Sequence, residues 1–429
     1  MKTHGRLILS IHGLVAMTAL VTPALGQRGR LDHGMITSAA LTNNLLGDSG
    51  TRPFIAYLPP SYDLTQKRYP VVYVLHGFSV AADPGDETTL VTGLQSTLDS
   101  MILHRKSGEI IAIFVNGHNR LGGSWYLSSP VIGDYETYIA SDLVCLVDNR
   151  YRTLAARESR GVHGWSVGGW GAMHLALKFP QTFSVVVAES GRYDSRSPSI
   201  DTWERQLAYS HPTNFTQFLP LLSQIPDFLA GTQALFCGLL PNLQRPSLYS
   251  DYVYEWTNSH PVFSEPADQR CRSGDVQNGD LGRYLQQPFK LNGIKIVHGT
   301  ADTVIPLTDA RSFTNAMTQA GLVFTYQEHS DGHVYRPDLA VPFLSTNSLG
   351  SQLYTAPPQL TFAYATNSIL LSFPTQLGVD YRIESSPSLD SATAAWSVAT
   401  SLTGNGGVAR VSLPVAFESR FFRASAVAP

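Results

Sequence analysis

The stretch that most constrains this chain is Arg160 to Pro180, RGVHGWSVGGWGAMHLALKFP. A short apolar run, Gly161-Val162-His163, leads into Gly164-Trp165-Ser166-Val167-Gly168. A helical apolar pattern follows at once through Met173, Leu175, Ala176 and Phe179. Strand, sharp turn and helix form the setting in which a serine is presented at the end of a sheet as a nucleophile. Such a turn is strained, so its neighbours have to be nearly free of side chain. Gly164 and Gly168 meet that need, and Gly169 and Gly171 let the helix approach the sheet closely. The first free amides of the helix point back at the serine, where negative charge would develop. The pentapeptide alone also occurs in ordinary Gly-Ser loops; its strand–turn–helix context is what gives it weight.

The surrounding chain alternates strands with helices. Arg52 to Leu58 reads as a strand, and Val71 to Leu75 as a central strand covered on both faces, ending in His76-Gly77-Phe78. A helix follows over Leu90 to Leu103, then a strand over Ile110 to Val115 and a helical stripe from Tyr135 to Tyr151. After the serine turn come a strand over Phe183 to Glu189, a strand over Ile294 to His298, a helix over Leu307 to Ala320 and a strand over Val323 to Gln327. A short helix then runs to about Phe343. This rhythm predicts an α/β fold with a mainly parallel sheet. Residues 27–50 are small and polar with weak alternation, and no element is assigned there. Residues 192–285 break the rhythm, with short helical pieces around Phe215 to Leu229 and Leu235 to Leu240, and read as an inserted cap over the site. Beyond residue 349, five short strand-like runs separated by Pro and Gly predict a small all-β C-terminal domain, sandwich-like and non-catalytic. The expected division is 1–26, 27–348 and 349–429.

Residues 1–26 have the form of a secretory signal peptide. Lys2, His4 and Arg6 precede an apolar run from Leu7 to Leu20, and Ala24-Leu25-Gly26 offers a cleavage site. The alternative, a membrane anchor, needs a longer uninterrupted span. The expectation is a secreted or periplasmic protein beginning near Gln27. A formal net charge of -3 gives no nucleic-acid footprint. In an exported chain Cys237 and Cys271 are candidates for a disulfide, while Cys145 reads as a buried free thiol on a helix. No spacing resembles a metal site, and no cofactor is implied.

A serine hydroxyl needs a histidine to take its proton and a carboxylate to orient that histidine. Asp302 lies four residues past the strand Ile294–His298, and His333 follows Gly332 after the last strand. The order serine, acid, histidine is the one that an α/β-hydrolase fold requires. Asp309 or Asp331 could orient the base instead, and His329 could substitute for His333. Two backbone donors complete the chemistry, Val167 N–H directly after the serine and Phe78 N–H after Gly77. His76 reads as structural, buried beside the sheet edge. Trp125, Trp165, Trp203 and Trp256 are candidates for a substrate pocket, with ordinary core packing the competing reading for Trp125, Trp203 and Trp256.

These segments together resemble the esterase D / putative esterase family of α/β hydrolases, which includes S-formylglutathione hydrolases, feruloyl and acetyl-xylan esterases, enterochelin-esterase-like proteins and mycolyltransferases. The resemblance is carried by Tyr57-Leu58-Pro59-Pro60-Ser61-Tyr62, Tyr69 to Gly77, Asp148 to Thr153, Gly164 to Ala172 and Asp331-Gly332-His333, covering roughly residues 50–345. It implies Ser166 as nucleophile, Asp302 as acid, His333 as base, and Phe78 and Val167 as oxyanion donors. Trp165 departs from the family, where histidine often precedes the serine. The C-terminal module is similar to fibronectin type III-like modules of secreted bacterial proteins. The implied activity is that of a secreted serine carboxylic-ester hydrolase working through an acyl-enzyme, of feruloyl or acetyl-xylan type. Its substrate would be a small-molecule or polysaccharide-linked ester, with no membrane partner after signal removal and a β module binding polymer or cell surface. An acyltransferase using the same residues, or a non-catalytic binding protein on the same scaffold, are the alternatives.

Overall fold

The computed structural model describes residues 28–78, 89–195, 227–246, 248–257, 260–348, 361–365, 368–375, 380–386, 396–403, 408–414 and 421–427. The expected leader, the Phe215–Pro226 part of the expected cap and Trp203 lie outside the described residues. An eight-stranded sheet is built from β1 (Arg30–Thr37), β2 (Thr51–Leu58), β3 (Val71–Leu75), β4 (Ile111–Val115), β5 (Arg160–Trp165), β6 (Val185–Glu189), β7 (Gly293–Gly299) and β8 (Thr325–His329). Its spatial order is β1-β2-β4-β3-β5-β6-β7-β8. β2 pairs antiparallel with both β1 and β4, and every pair from β4 onward is parallel. The α/β fold with a mainly parallel sheet is therefore present.

The unbroken apolar run of β3 has a direct cause. All five of its residues are buried, and they alternate between two helical layers. Val71, Tyr73 and Leu75 face the layer holding helix Val167–Lys178, through Met173 and Ala176. Val72 and Val74 face helix Thr89–Leu103, through Val91, Leu94 and Leu98. Each such fully buried side chain contributes about 1.5–3 kcal/mol relative to exposure. His76 thus stands at the end of a mid-sheet strand and not beside the sheet edge.

The structure corrects the sequence reading in several places. β1 occupies residues assigned no element. It is an edge strand in which half of the residues are exposed and only Gly34 and Ile36 are buried, so little apolar alternation is required of it. β8 begins two residues later than the expected strand, because Val323 projects into solvent. The stripe from Tyr135 is helical but contains a π segment, Tyr138–Leu143, between Tyr135–Thr137 and Val144–Arg150. The inserted region is more regular than its sequence suggests. It holds helices Asp227–Leu239, Glu265–Gly274 and Leu281–Leu285 and a hairpin of Tyr254–Thr257 with His260–Phe263.

Cys145, Cys237 and Cys271 are thiols outside any disulfide. Cys237 and Cys271 are buried, but the Cys237 thiol is occupied by the Gln233 amide at 3.3 Å and the Leu248 carbonyl at 3.4 Å. Cys271 packs in an apolar cluster with Phe236, Leu240 and Val253. Cys145 is exposed, not buried, because it falls on the outer face of its helix.

The C-terminal segment forms two three-stranded antiparallel sheets. β9 (Thr361–Ala365), β10 (Ser368–Pro374) and β13 (Val408–Pro414) make one, in the order β9-β10-β13. β12 (Ser397–Thr403), β11 (Asp380–Ser386) and β14 (Phe421–Val427) make the other, in the order β12-β11-β14. Leu371 and Phe373 of one meet Tyr381 and Ile383 of the other, with the Phe373 and Tyr381 rings 5.4 Å apart. The two sheets share one core, as in a sandwich.

Candidate active site

Ser166 stands between β5 and helix Val167–Lys178 with φ 60 and ψ -123, a backbone state that non-glycine residues rarely hold. It is fixed there by its own N–H, which donates to the Glu189 carbonyl at 2.9 Å. The flanking glycines are required by space. A Cβ on Gly164 would come within 2.0 Å of the Gly168 carbonyl oxygen, and one on Gly168 within 2.1 Å of the Leu75 oxygen. Both obstacles are backbone, so neither can rotate away. Gly168→Ala is expected to destabilise the protein by about 2 kcal/mol and to lower the melting temperature measurably. An unchanged melting curve would show that the turn is looser than described.

His333 is brought to Ser166 by the loop after β8. The Ser166 hydroxyl lies 2.9 Å from His333 Nε2, and His333 Nδ1–H donates to Asp302 Oδ2 at 2.7 Å. Asp302 Oδ1 accepts the Val304 and Ile305 amides at 2.9 and 2.8 Å. Burial by itself would raise the Asp302 carboxyl. The His333 hydrogen bond and these two amides outweigh it and hold the group below the usual carboxylate range. Asp302 is therefore an anion at neutral pH, placed to fix the tautomer and orientation of the imidazole. The competing candidates point elsewhere. Asp331 pairs with Arg336, Asp309 is buried in the first turn of helix Leu307–Gln319, and His329 ends β8 beside Asp331 at 3.3 Å.

The expected backbone donors flank this arrangement. Val167 is the first residue of the helix after Ser166. Gly77 approaches so closely that a Cβ there would lie 3.3 Å from Ser166 Cβ, which brings the Gly77–Phe78 segment alongside the hydroxyl. His76 anchors that segment. Its Nε2 accepts the Gly117 N–H at 3.0 Å, so Nδ1–H donates to the Gly77 carbonyl at 2.7 Å, and burial pushes its pKa down to about 4. The ring stays neutral and the loop stays pinned. Tyr126 adds a hydroxyl bond to the His76 carbonyl at 2.8 Å. The Phe78 ring packs against Gly123 and Gly231, linking this loop to helix Asp227–Leu239. The anchoring role of Tyr126 has no signal in the sequence, since it depends on a distant contact.

The tryptophans divide. Trp165 lies against the imidazole of His333, with ring centroids 4.9 Å apart and a tilt of 39°. Trp125 is buried; its indole N–H donates to the Gly231 carbonyl at 2.8 Å and its ring meets Trp170 edge-on. It is part of the main hydrophobic core. Trp256 falls in the hairpin, and its side chain, like Trp203 as a whole, lies outside the described residues. Among the described residues no three His, Cys, Asp or Glu side chains converge as metal ligands would.

Residues 49–223 match the family model described as "Putative esterase". The uncharacterized protein YbbA of Bacillus subtilis (strain 168) is 27% identical over 156 residues, which are 34% of this chain and 58% of that protein. Esterase MT1326 of Mycobacterium tuberculosis (strain CDC 1551 / Oshkosh) is 30% identical over 140 residues, 31% of this chain and 28% of that protein. The chain thus spans less than two thirds of the length of either relative. Among solved structures, a ferulic acid esterase aligns at 17% identity with a TM-score of 0.45, over 75% of this chain and 98% of that one. Over residues 49–223 the chain is thus similar to the putative esterase family, and its mainly parallel sheet with a serine turn at a strand end has the form of an α/β-hydrolase fold.

Proposed function

We propose that the protein is a secreted serine carboxylic-ester hydrolase that works through an acyl-enzyme. The observation that carries this reading is the unbroken chain Ser166 Oγ, His333, Asp302 at 2.9 and 2.7 Å. His333 takes the Ser166 proton as the hydroxyl attacks the ester carbonyl carbon. The oxyanion of the tetrahedral intermediate is met by the Phe78 and Val167 amides. His333 then gives the proton to the departing alcohol, and a water activated by the same imidazole releases the acid and frees the serine.

Residues 1–26, with their signal-peptide form, support export, and export favours an extracellular ester over cytosolic S-formylglutathione. A feruloylated or acetylated polysaccharide is the substrate class that compartment favours. A fluorophosphonate probe is expected to label the wild-type protein on Ser166, located by peptide mass spectrometry. Initial rates on methyl ferulate, acetylated xylan and p-nitrophenyl acetate then rank the acyl groups. Labelling elsewhere would end the serine assignment. Equal rates on ferulate and simple acetate would retire the aromatic acyl preference.

A further inference from the structure

The geometry points to Glu189 as a positioning residue for the Ser166–His333 pair, an inference that rests on the esterase reading above. Glu189 ends β6 and is 1% exposed, so its carboxylate is cut off from water. Three of its atoms are committed to the two halves of the site. Its backbone carbonyl accepts the Ser166 N–H at 2.9 Å and so holds the strained residue in place. Its Oε1 accepts His163 Nε2–H at 2.6 Å; His163 lies on β5, three residues before Ser166, and is fully buried. Its Oε2 accepts the Arg336 N–H at 2.6 Å, three residues after His333. Tyr335 reinforces the link by stacking on the His163 ring at 5.5 Å. Glu189 touches neither Asp302 nor the imidazole of His333 in any of these contacts. It joins the strand that carries the nucleophile to the loop that carries the base.

A buried carboxylate costs several kcal/mol to desolvate and persists where hydrogen bonds compensate it. Here the compensation has a geometric product. The loop after β8 is tied on its outer side by Arg336 to Asp331 and Asp338. On its inner side, the Glu189 carboxylate fixes the backbone at residue 336. Loss of that tether lets the His333 backbone drift relative to Ser166, and a displacement of about 1 Å at a reacting pair costs on the order of 100-fold in rate.

Two conservative variants separate reach from charge. Glu189→Gln keeps the reach: its amide oxygen can still accept the Arg336 N–H, and its NH2 can donate to His163 Nε2. The His163 proton then moves to Nδ1, which has no hydrogen-bond partner in the present arrangement. Glu189→Asp keeps the charge but is one methylene too short to meet both partners. With p-nitrophenyl acetate, E189Q is expected to retain kcat within about threefold. E189D is expected to lose at least roughly tenfold in kcat with KM unchanged and a folded melting transition. E189D at the wild-type kcat, or E189Q falling as far as E189D, would overturn the positioning role. Ser166→Ala run in parallel separates the two readings. Turnover by that variant would remove the esterase mechanism itself, whereas an inactive S166A beside a fully active E189D would remove the role of Glu189 alone.

Discussion

Ser166→Ala is expected to lower kcat on short p-nitrophenyl esters by about 10⁴-fold or more, the scale on which loss of the nucleophile acts in enzymes of this kind. The fold should survive. Among the described residues the hydroxyl bonds to His333 Nε2, and His333 is partly exposed, so water can satisfy the nitrogen left behind. Alanine at φ 60 is no worse off than serine, because the strain comes from the Cβ that both share. The melting temperature should therefore stay within a few degrees. His333→Ala should lose activity on a similar scale. The double variant should lose little more than either single one, since the two side chains act as a unit. Steady-state kinetics and thermal melting on the three variants check this. Wild-type turnover by Ser166→Ala, or additive losses in the double variant, would show that the two groups do not share one proton transfer.

The parts of this site that could be read from sequence are those whose cause is local. The serine turn announces itself because the close approach of Gly164 to Gly168, and of Gly168 to β3, forbids side chains at fixed offsets from Ser166. The central strands β3, β4 and β6 show as apolar runs because both of their faces are covered. Asp302 and His333 follow from strand ends and chain order. What escaped is set by distant contacts. β1 is exposed along one edge and carries no apolar signature. Helix Glu265–Gly274 buries only Ala267, Asp268 and Cys271, too narrow a face to register in an acidic and basic stretch. The exposure of Cys145 depends on the packing of its helix, and the separation of Cys237 from Cys271 on which core each thiol joins. Glu189 ends an apolar strand and looks like a strand terminus; its importance lies in His163 and Arg336, 26 and 147 residues away.

A second large effect is expected at His174, on the helix that Ser166 begins. The ring is 2% exposed and stacks on Trp170 at 4.9 Å. Nδ1 lies 2.5 Å from Asp280 Oδ2 and Nε2 lies 2.9 Å from Glu136 Oε1, so both nitrogens face carboxylates and both carry protons. Lys178 backs Glu136 at 2.7 Å and Arg283 backs Asp280 at 2.7 Å. Burial alone would lower the imidazole, but Asp280 and Glu136 together push it up to about 9. Burial would likewise raise Glu136, yet His174 and Lys178 hold it down to about 2. The signs of the two linkages differ. The His174 contribution is complete below its ordinary value near 6.5 and is lost as pH rises through about 9. The Glu136 contribution is complete above about 4.5 and is lost as pH falls toward about 2. This buried network therefore favours the folded state most between those ordinary values.

His174→Leu should cost about 3–5 kcal/mol, because it leaves two buried carboxylates facing a neutral side chain. A drop in melting temperature of about 5 °C at pH 6 follows for a chain of this size. Above pH 9 the gap between variant and wild type should narrow, since the wild-type ring has then lost its own proton. A gap that stays constant from pH 6 to pH 10 would mean that the ring is neutral throughout and acts by shape alone. The network joins the start of helix Tyr135–Thr137, helix Val167–Lys178 and the inserted segment before Leu281, and it contacts none of Ser166, Asp302 or His333. Alkaline loss of activity from this source should accordingly track the melting curve, while the fluorophosphonate reactivity of the protein that remains folded stays unchanged.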